Sequence, residues 1–270
     1  MSSNDDMKDS IQDVIKTLMD RVMDRVLVTD PFLADEHHAK KPLYAFLVPD
    51  EIFKGSHFER RFVTPFGGAW EKLALVAGNA GGGKAEPQHA IKGNINAERL
   101  RRIQEILNKL EHRTRGQAGP DWAEELKYVL AGESEKLIPT TVLADIYLEK
   151  GNEKFAFELK APLPNSDQTK VSKEKILKLY AMEPVLVSGA FYALPYNPYG
   201  SKKEDYAWTF PARWFDMKND PVVLIGDEFW DKIGGTGTYN AFLEAVNEMG
   251  GEYKERIYRE YLGIEPPEHS

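Results

Sequence analysis

The 270-residue sequence contains no cysteine, and this absence excludes several kinds of site. Disulfides, thiolate nucleophiles, zinc ribbons and iron–sulfur clusters all depend on cysteine. No apolar run approaches the roughly 20 residues that a membrane-spanning helix needs. Residues 1–6 are polar and acidic, unlike a secretory signal. We therefore expect an intracellular, cytoplasmic protein.

The sequence also lacks an excess of positive charge, since its formal net charge is −8. Nonspecific nucleic-acid affinity comes from neutralising phosphates, so this balance argues against an indiscriminate nucleic-acid binder but permits a local basic cleft. The histidines show no helical HxxxH spacing, which leaves a histidine metal site or an HNH nuclease poorly supported. Basic clusters, each by itself typical of a solvated helix face, occur at 60–61, 99–102, 170–178 and 202–203.

Hydrophobic periodicity predicts an α/β protein with a mainly helical N-terminal half. Helical spacing of apolar residues predicts helices over about 8–28, 96–113, from 120 onward, 166–183 and 239–262. Apolar or alternating runs predict strands over about 142–150, 154–160, 184–194 and 222–225. We expect a single domain, 1–270, with a mainly helical part (1–135), a core (136–235) and a C-terminal helix (236–270). Helices around a short mixed sheet make an α/β sandwich the natural architecture.

The strongest local pattern is a hairpin around Gly151-Asn152, a dipeptide that closes two-residue turns because both positions tolerate positive φ. With these two residues as the loop, Lys150 faces Glu153, and Asp145 faces Glu158. One face of the hairpin is apolar and carries Ala144, Ile146, Leu148, Phe155, Phe157 and Leu159. The other face is polar and carries Asp145, Glu149, Lys154, Glu158 and Lys160.

The facing pair of Asp145 and Glu158 predicts a metal site. Directly opposed strand residues have Cβ atoms roughly 4.5–5.5 Å apart, so two carboxylates repel there unless a cation lies between them or one is protonated. Mg²⁺, which prefers oxygen ligands, resolves this repulsion. Lys160 points to the same face, where it can orient a water, help to deprotonate it or neutralise a phosphate. The alternative is a solvated sheet face that carries ordinary salt bridges.

Asp145 followed by Glu158-Leu159-Lys160 resembles the PD-(D/E)xK nuclease motif. Ala144 replaces the proline of the motif, a position that supplies no ligand. The resemblance implies a restriction-endonuclease-like core, with a mixed central sheet flanked by helices. It also implies magnesium-dependent hydrolysis of a phosphodiester bond that leaves 5′-phosphate and 3′-hydroxyl ends.

A competing motif, Gly78-Asn79-Ala80-Gly81-Gly82-Gly83-Lys84-Ala85, is close to the phosphate-binding P-loop GxxxxGK[ST]. The run 222–228 could serve as its magnesium-binding strand. However, Ala85 lacks the hydroxyl that binds Mg²⁺, and Pro87 lies where the following helix should be established. Nucleotide hydrolysis is therefore the weaker alternative. We interpret 78–86 as a flexible glycine loop near DNA, and Asp227 as the N-cap of a short helix carrying Phe229 and Trp230.

Five segments from the hairpin onward carry a more specific resemblance. They are Asp145-Ile146-Tyr147, Phe157-Glu158-Leu159-Lys160-Ala161-Pro162, Tyr192-Ala193-Leu194-Pro195-Tyr196-Asn197-Pro198-Tyr199-Gly200, Trp214-Phe215-Asp216-Met217 and Leu224-Ile225-Gly226-Asp227-Glu228-Phe229-Trp230. Their order is similar to that in TdeIII-type type II restriction endonucleases, over roughly residues 40–250. The segments at 192–200 and 224–230 discriminate better than the short nuclease motif, which many families share.

The TdeIII-type resemblance implies a homodimer that cuts double-stranded DNA at a short palindrome of the GGNCC type, with a cognate DNA methyltransferase protecting host DNA. Two-fold symmetric DNA is matched most simply by a two-fold dimer. A repair or junction-resolving nuclease would carry the same hairpin without needing this much flanking chain. A catalytically inactive DNA-binding protein would not need all three polar side chains.

Other residues are candidates for metal and DNA contacts. Glu59, with Glu71 behind it, is our candidate for an upstream glutamate that completes such metal sites from a helix. Guanine favours Arg or Lys in the major groove, so the candidate base readers are Lys202, Lys203, Arg213 and the nearby Asn197. Lys173 and Lys175, on the helix after the hairpin, are candidate phosphate contacts. Simple surface exposure is the alternative for each of them.

Overall fold

The computed structural model describes residues 3–114 and 116–267. The chain forms two compact units. We call Met1–Leu73 with Asn240–Ser270 the helical unit, and Ala74–Tyr239 the sheet unit. Among the described residues, no helix combines the length and apolar character needed to cross a bilayer.

The helical unit is built from long amphipathic helices. α1 (Ser3–Asp24) continues into a π-helical turn (Arg25–Thr29), and α2 (Ala34–Lys40) and α3 (Pro42–Ala45) are short. α4 (Asp50–Ala80) continues into the sheet unit. α9 (Thr238–Arg256) ends in a second π-helical turn (Ile257–Leu262). The predicted helices over 8–28 and 239–262 are therefore confirmed.

The sheet unit contains, among the described residues, a five-stranded mixed sheet in the order β1-β2-β3-β4-β5. β1 (Lys84–Asn96), β2 (Leu137–Lys150) and β3 (Glu153–Leu159) are antiparallel neighbours. β4 (Gly189–Leu194) and β5 (Val223–Ile225) continue the sheet in parallel to β3. The predicted mixed sheet is confirmed, although β4 begins five residues later than the predicted strand over 184–194.

Helices cover both faces of this sheet. α5 (Ala97–Glu111), α6 (Trp122–Leu130) and α7 (Ser166–Ala181) share one hydrophobic core with the strands. On the other face, α8 (Asp227–Gly234) packs Phe229 against Phe157 of β3. Asn96, Asp121 and Asn165 cap the N-termini of α5, α6 and α7, since each side chain accepts a backbone hydrogen bond from the first turn. These caps explain why the predicted helices over 96–113 and 166–183 start where they do.

Two expectations linked to the glycine motif were wrong, and one strand next to it was not predicted. Residues 78–86 are not a flexible loop, because α4 ends at Ala80 and β1 begins at Lys84 after a short turn. β1 itself was not predicted, since it contains Pro87 and Gly93, residues that strands usually exclude. Asp227 is the first residue of α8 rather than its N-cap, and Gly226, with φ of +62°, occupies the cap position.

Candidate active site

The structure brings Asp145, Glu158 and Lys160 together on one face of the hairpin. Lys160 Nζ lies 2.5 Å from Asp145 Oδ2 and 3.4 Å from Glu158 Oε2. The backbone register from Ile146 paired with Phe157 to Lys150 paired with Glu153 is the predicted one. Gly151, with φ of +60°, closes the turn. The ladder ends at Ile146 and Phe157, so the expected backbone pairing of Asp145 with Glu158 is not formed, although both side chains contact Lys160.

Asp145 marks the point where β2 and β3 stop pairing. Its carboxylate Oδ2 accepts a hydrogen bond from the backbone N–H of Leu159 at 3.0 Å. Glu158 and Leu159 instead pair in parallel with β4, and the N–H of Lys160 donates to Ala193 O at 3.0 Å. The side chain of Asp145 thus takes a position that a backbone carbonyl would occupy in a continued ladder. This anchors one carboxylate oxygen and fixes the carboxylate relative to Lys160.

Burial and the close approach of Asp145 and Glu158 change the pKa values of the groups in the site. Glu158 is only 2% exposed, and its burial, together with the neighbouring charge of Asp145, raises the pKa of its carboxyl group. Burial opposes the charge on Lys160, but Glu158 and Asp145 outweigh it and raise the pKa of the ammonium group. Burial disfavours the charged form of Glu158, and a cation beside both carboxylates would stabilise that charged form.

Helix α7 covers the polar face, so this face is not the solvated surface of the alternative interpretation. Lys175 Nζ lies 2.9 Å from Glu158 Oε1 and 3.1 Å from Oε2. Ser172 Oγ lies 3.5 Å from Oε2 of the same carboxylate. Sequence reasoning placed Lys175 at the DNA backbone and missed its contact with Glu158. The short spacer between Lys160 and the Asn165 cap could have indicated this contact, because it brings the first turns of α7 back over the hairpin.

Three aromatic side chains hold the segment that joins β3 to α7. Tyr206 Oη donates to Pro162 O at 2.9 Å, and Trp208 Nε1 donates to Pro164 O at 2.9 Å. Trp214 Nε1 donates to Ser166 Oγ at 2.9 Å. Because this segment directly follows Lys160, these hydrogen bonds restrain the backbone on which the lysine stands. Sequence analysis did not single out Tyr206 or Trp208, and it noted Trp214 only as part of the segment at 214–217.

β1 places an imidazole beside Tyr147, next to an unusual backbone conformation. Gln88 has φ of +47°, the left-handed region that side chains other than glycine rarely adopt. The ladder pairs His89 with Ala144, which lies in the same buried core as Tyr147. The His89 ring stacks on Tyr147 at 4.1 Å, and its Nδ1 lies 2.7 Å from Glu86 Oε2. His89 therefore lies beside Tyr147, directly after the left-handed residue Gln88.

The predicted DNA-contact residues are mostly engaged with the protein itself. Lys173 is fully buried and contacts Glu125 Oε2 and Trp214 O, so it cannot reach a phosphate in this conformation. Lys203 contacts Val223 O and Glu228, and its side chain is 11% exposed. Arg213 donates to the carbonyl oxygen of Glu111 at the end of α5.

The remaining candidates lie at the surface. Asn197 donates to Lys202 O at 2.6 Å and shapes its own turn. Lys202 is exposed. Glu59 is exposed on α4 in the helical unit, and its role as an upstream metal ligand stays a prediction. Among the histidines, His38 contacts Asp50 and His57 contacts Tyr261. His269 lies outside the described residues.

The oxygen donors of Asp145 and Glu158 suit a hard divalent cation, since both carboxylates reach one ammonium nitrogen and Glu158 is buried. Within residues 3–114 and 116–267, no group of three or more histidine, aspartate or glutamate side chains is arranged to share a metal. Two protein carboxylates thus leave several positions of an octahedral ion for water or substrate oxygens.

The glycine motif does not form a P-loop, because the order of its elements is reversed. A P-loop connects a strand to a following helix whose N-terminus faces the phosphates. Here helix α4 precedes the glycines and strand β1 follows them. The N–H groups of Gly81 and Gly83 donate to Ala77 O and Gly78 O, and Lys84 contacts Glu86. The N–H groups are therefore occupied at the end of α4, and Lys84 is paired with Glu86. The residues do not form the phosphate site that the nucleotide-hydrolase alternative requires.

The chain is similar to several known type II restriction enzymes. The chain is 29% identical to the type II restriction enzyme HgiCII of Herpetosiphon aurantiacus over 229 residues, which cover 82% of each chain. It is 27% identical to HgiBI of the same organism over 78% of this chain and 77% of the relative. It is also 27% identical to the type II restriction enzyme MjaII of Methanocaldococcus jannaschii, over 70% of this chain and 53% of the relative.

A model of the type II restriction endonuclease family HinfI matches residues 7–250, which include both β2 and β3 of the hairpin and the helix α7 above it. A match over most of the chain is much more specific than the short motif of Asp145, Glu158 and Lys160. The chain belongs to the HinfI family of type II restriction endonucleases.

Proposed function

We propose that this protein is a magnesium-dependent type II endonuclease that hydrolyses double-stranded DNA at a short palindrome of the GGNCC type and leaves 5′-phosphate and 3′-hydroxyl ends. The observation that carries the chemistry is the convergence of Asp145, Glu158 and Lys160 within ion-pair distance on one face of the hairpin. The sequence specificity rests on the resemblance of the segments at 192–200 and 224–230 to TdeIII-type enzymes.

In this proposal, Asp145 and Glu158 hold Mg²⁺ through their carboxylate oxygens, and Glu59 is a candidate further ligand. When bound, the ion would supply charge neutralisation and activation of a water for in-line attack on phosphorus. Asp145 is held in place by the N–H of Leu159, so its free oxygen has a defined direction. Lys160 carries its positive charge beside both carboxylates, where it would orient the attacking water or neutralise a phosphate oxygen.

The wider biological assignments are part of the same proposal. A homodimer would place one active site on each strand of a two-fold symmetric DNA site. A cognate DNA methyltransferase would protect the host DNA, and both enzymes would act in the cytoplasm. For DNA contacts we retain the exposed Lys202. Lys175, Asn197, Lys203 and Arg213 are further candidates that would first have to leave their intramolecular partners.

Cleavage of long duplex DNA in the presence of Mg²⁺ tests the proposal. We expect discrete fragments from the wild type and no cleavage from Asp145→Asn, Glu158→Gln or Lys160→Gln. Glu149→Gln is a matched control, because Glu149 is an acidic residue of the same strand and face whose partner is Lys154, outside the triad. Loss of cleavage with the control as well would indicate a general folding defect.

The products distinguish the related functions. Discrete fragments that a DNA ligase rejoins without prior phosphorylation would support a site-specific enzyme with the proposed ends. A smear would support a nonspecific nuclease, and cleavage of branched but not linear duplex would support a junction-resolving enzyme. If Mg²⁺ and Mn²⁺ produce no cleavage of any of these DNAs, the proposed catalytic role of the triad is wrong.

A further inference from the structure

The site contains two ammonium groups for its two carboxylates, and the second one, Lys175, is not part of the motif. Lys175 Nζ contacts both oxygens of Glu158, at 2.9 and 3.1 Å. Lys160 Nζ contacts Asp145 and the Oε2 atom of Glu158. Without a metal, the charges of the four side chains therefore balance within the protein.

This balance places Lys175 in competition with a metal ion. A carboxylate binds cations through the lone pairs of its two oxygens. Lys175 makes charge-assisted contacts to both oxygens of Glu158 and so uses lone pairs that a metal ion would use. Two positive charges on the same carboxylate also repel each other. A cation that binds Glu158 therefore competes with the ammonium groups for the same carboxylate, most directly with Lys175, which contacts both oxygens.

Lys175 is the group that the structure leaves free to move. Lys160 belongs to the sheet, since its N–H donates to Ala193 O, and its ammonium also contacts Asp145. Among the described residues, Glu158 is the only ion-pair partner of Lys175. The side chain of Lys175 reaches the site from α7 on a long flexible stem and is 26% exposed.

We propose that Lys175 is a built-in counter-ion of Glu158, which the divalent metal displaces and which then binds a phosphate of the DNA. This inference rests on the proposed metal site at Asp145 and Glu158. In the metal-free enzyme, Lys175 stabilises the buried carboxylate of Glu158. After the exchange, its ammonium group lies beside the metal at the position where the DNA phosphates arrive, so metal binding and DNA binding become coupled through one side chain.

Mn²⁺ binding without DNA, measured by electron paramagnetic resonance, tests the competition directly. We expect Lys175→Met to bind Mn²⁺ about tenfold more tightly than the wild type, because one competing charge-assisted contact is removed. Lys175→Arg keeps the charge and can pair with both oxygens of Glu158, so it should bind Mn²⁺ no more tightly than the wild type. Lys178→Met is the matched control, since Lys178 lies on the same helix, is equally exposed at 26% and contacts Glu174 instead.

The second half of the proposal concerns DNA. In Ca²⁺, used as a non-cleaving ion, Lys175→Met should bind a cognate duplex at least about tenfold more weakly than Lys178→Met, although both remove one positive charge. Lys175→Gln provides the same test if the methionine variant does not fold, as judged by its circular dichroism and thermal unfolding.

The outcomes separate this inference from the proposed function. Unchanged or weaker Mn²⁺ binding by both Lys175→Met and Lys175→Gln would overturn the counter-ion role. An equal increase in Lys178→Met would assign the effect to net charge and would overturn it as well. Mn²⁺ binding that survives Asp145→Asn and Glu158→Gln would instead contradict the proposed metal site.

Discussion

Lys173 and Glu125 form a buried charged pair in the core of the sheet unit, with Lys173 Nζ 2.5 Å from Glu125 Oε2. The geometry is that of a close contact rather than an aligned hydrogen bond, and the ammonium group donates to Trp214 O at 2.5 Å. Burial lowers the pKa of Lys173 and raises the pKa of Glu125. The pair joins α6 to α7, the helix that carries Lys175, and so has a structural role.

Removing one member of this pair should strongly destabilise the protein. Glu125→Gln leaves the buried ammonium of Lys173 without its counter-charge, and we expect the free energy of unfolding in urea to fall by about 3 kcal/mol. The double variant Lys173→Met/Glu125→Leu should lose less than Glu125→Gln alone, because it leaves no unpaired charge. Glu124→Gln, an exposed neighbour on α6, is the control and should change stability by less than about 0.5 kcal/mol. Equal losses for Glu124→Gln and Glu125→Gln would contradict the burial argument.

The hydroxyl of Tyr206 should matter for catalysis more than for folding. Tyr206→Phe removes only the hydrogen bond to Pro162 O, at a net cost in stability of about 1 kcal/mol. Because Pro162 lies two residues after Lys160, we expect kcat for DNA cleavage to decrease several-fold while KM stays nearly constant. Tyr199→Phe keeps the aromatic ring that packs on Tyr206 and removes only the hydroxyl of an exposed residue, so it should leave both parameters unchanged. A change in KM alone would indicate that Tyr206 acts on DNA binding instead.

The left-handed backbone at Gln88 predicts an unusual order of substitutions. Asn tolerates this conformation and β-branched residues do not, so Gln88→Val should be less stable than Gln88→Asn by about 1–2 kcal/mol. Ala90→Val tests the same residue type at the next exposed position of β1, where the backbone is ordinary and valine favours a strand. Thermal unfolding of the three variants gives the comparison. If Gln88→Val and Gln88→Asn melt together, the strain at Gln88 is absent in solution.

Glu98 predicts a pH-dependent contribution to stability. Hydrogen bonds from Arg101 and Arg102 lower the pKa of Glu98 to about 2. A carboxyl group whose pKa is lowered by folding stabilises the folded state above its unfolded pKa, and this contribution is lost as the pH falls through the folded pKa. Glu98→Gln should therefore be less stable than the wild type above about pH 5, and the difference should shrink toward pH 2.

The size of this difference should be modest because Glu98 lies at the surface of α5. Urea unfolding at several pH values from 2 to 7 measures it, with Glu135→Gln, an exposed residue without a resolved ion pair, as the control. A difference that grows as the pH falls would have the opposite sign to the one predicted and would show that the arginine contacts do not stabilise the folded state.

The hairpin and its polar face could be predicted because their determinants are local. Gly151-Asn152 fixes the turn, alternation fixes the faces, and the register follows. The partner of Glu158 could not be predicted in the same way, since the contact with Lys175 depends on how α7 packs on the sheet. Gln88 shows the same limit, because a positive φ at glutamine follows no sequence rule and is imposed by its surroundings.

The long elements before the hairpin were missed for a related reason. β1 contains Pro87 and Gly93, and its strand conformation comes from pairing with β2, which is distant in sequence. α4 contains Pro65 and several glycines, so its local helix propensity is low. The expected base readers illustrate a third limit. From sequence alone, a basic residue in a turn-rich segment can be a DNA contact or a donor to a backbone carbonyl. Lys203 and Arg213 donate to backbone carbonyls here.

The four charged groups that the structure brings together at the proposed active site, Asp145, Glu158, Lys160 and Lys175, lie within one continuous segment of the chain. Contacts that are close in sequence form rapidly, because little chain entropy is lost in closing the loops between them. The contacts among these four groups can therefore form with the hairpin and α7 alone. The hydrogen bonds that restrain the backbone of Lys160 and Pro162 need Ala193 and Tyr206, which lie farther along the chain.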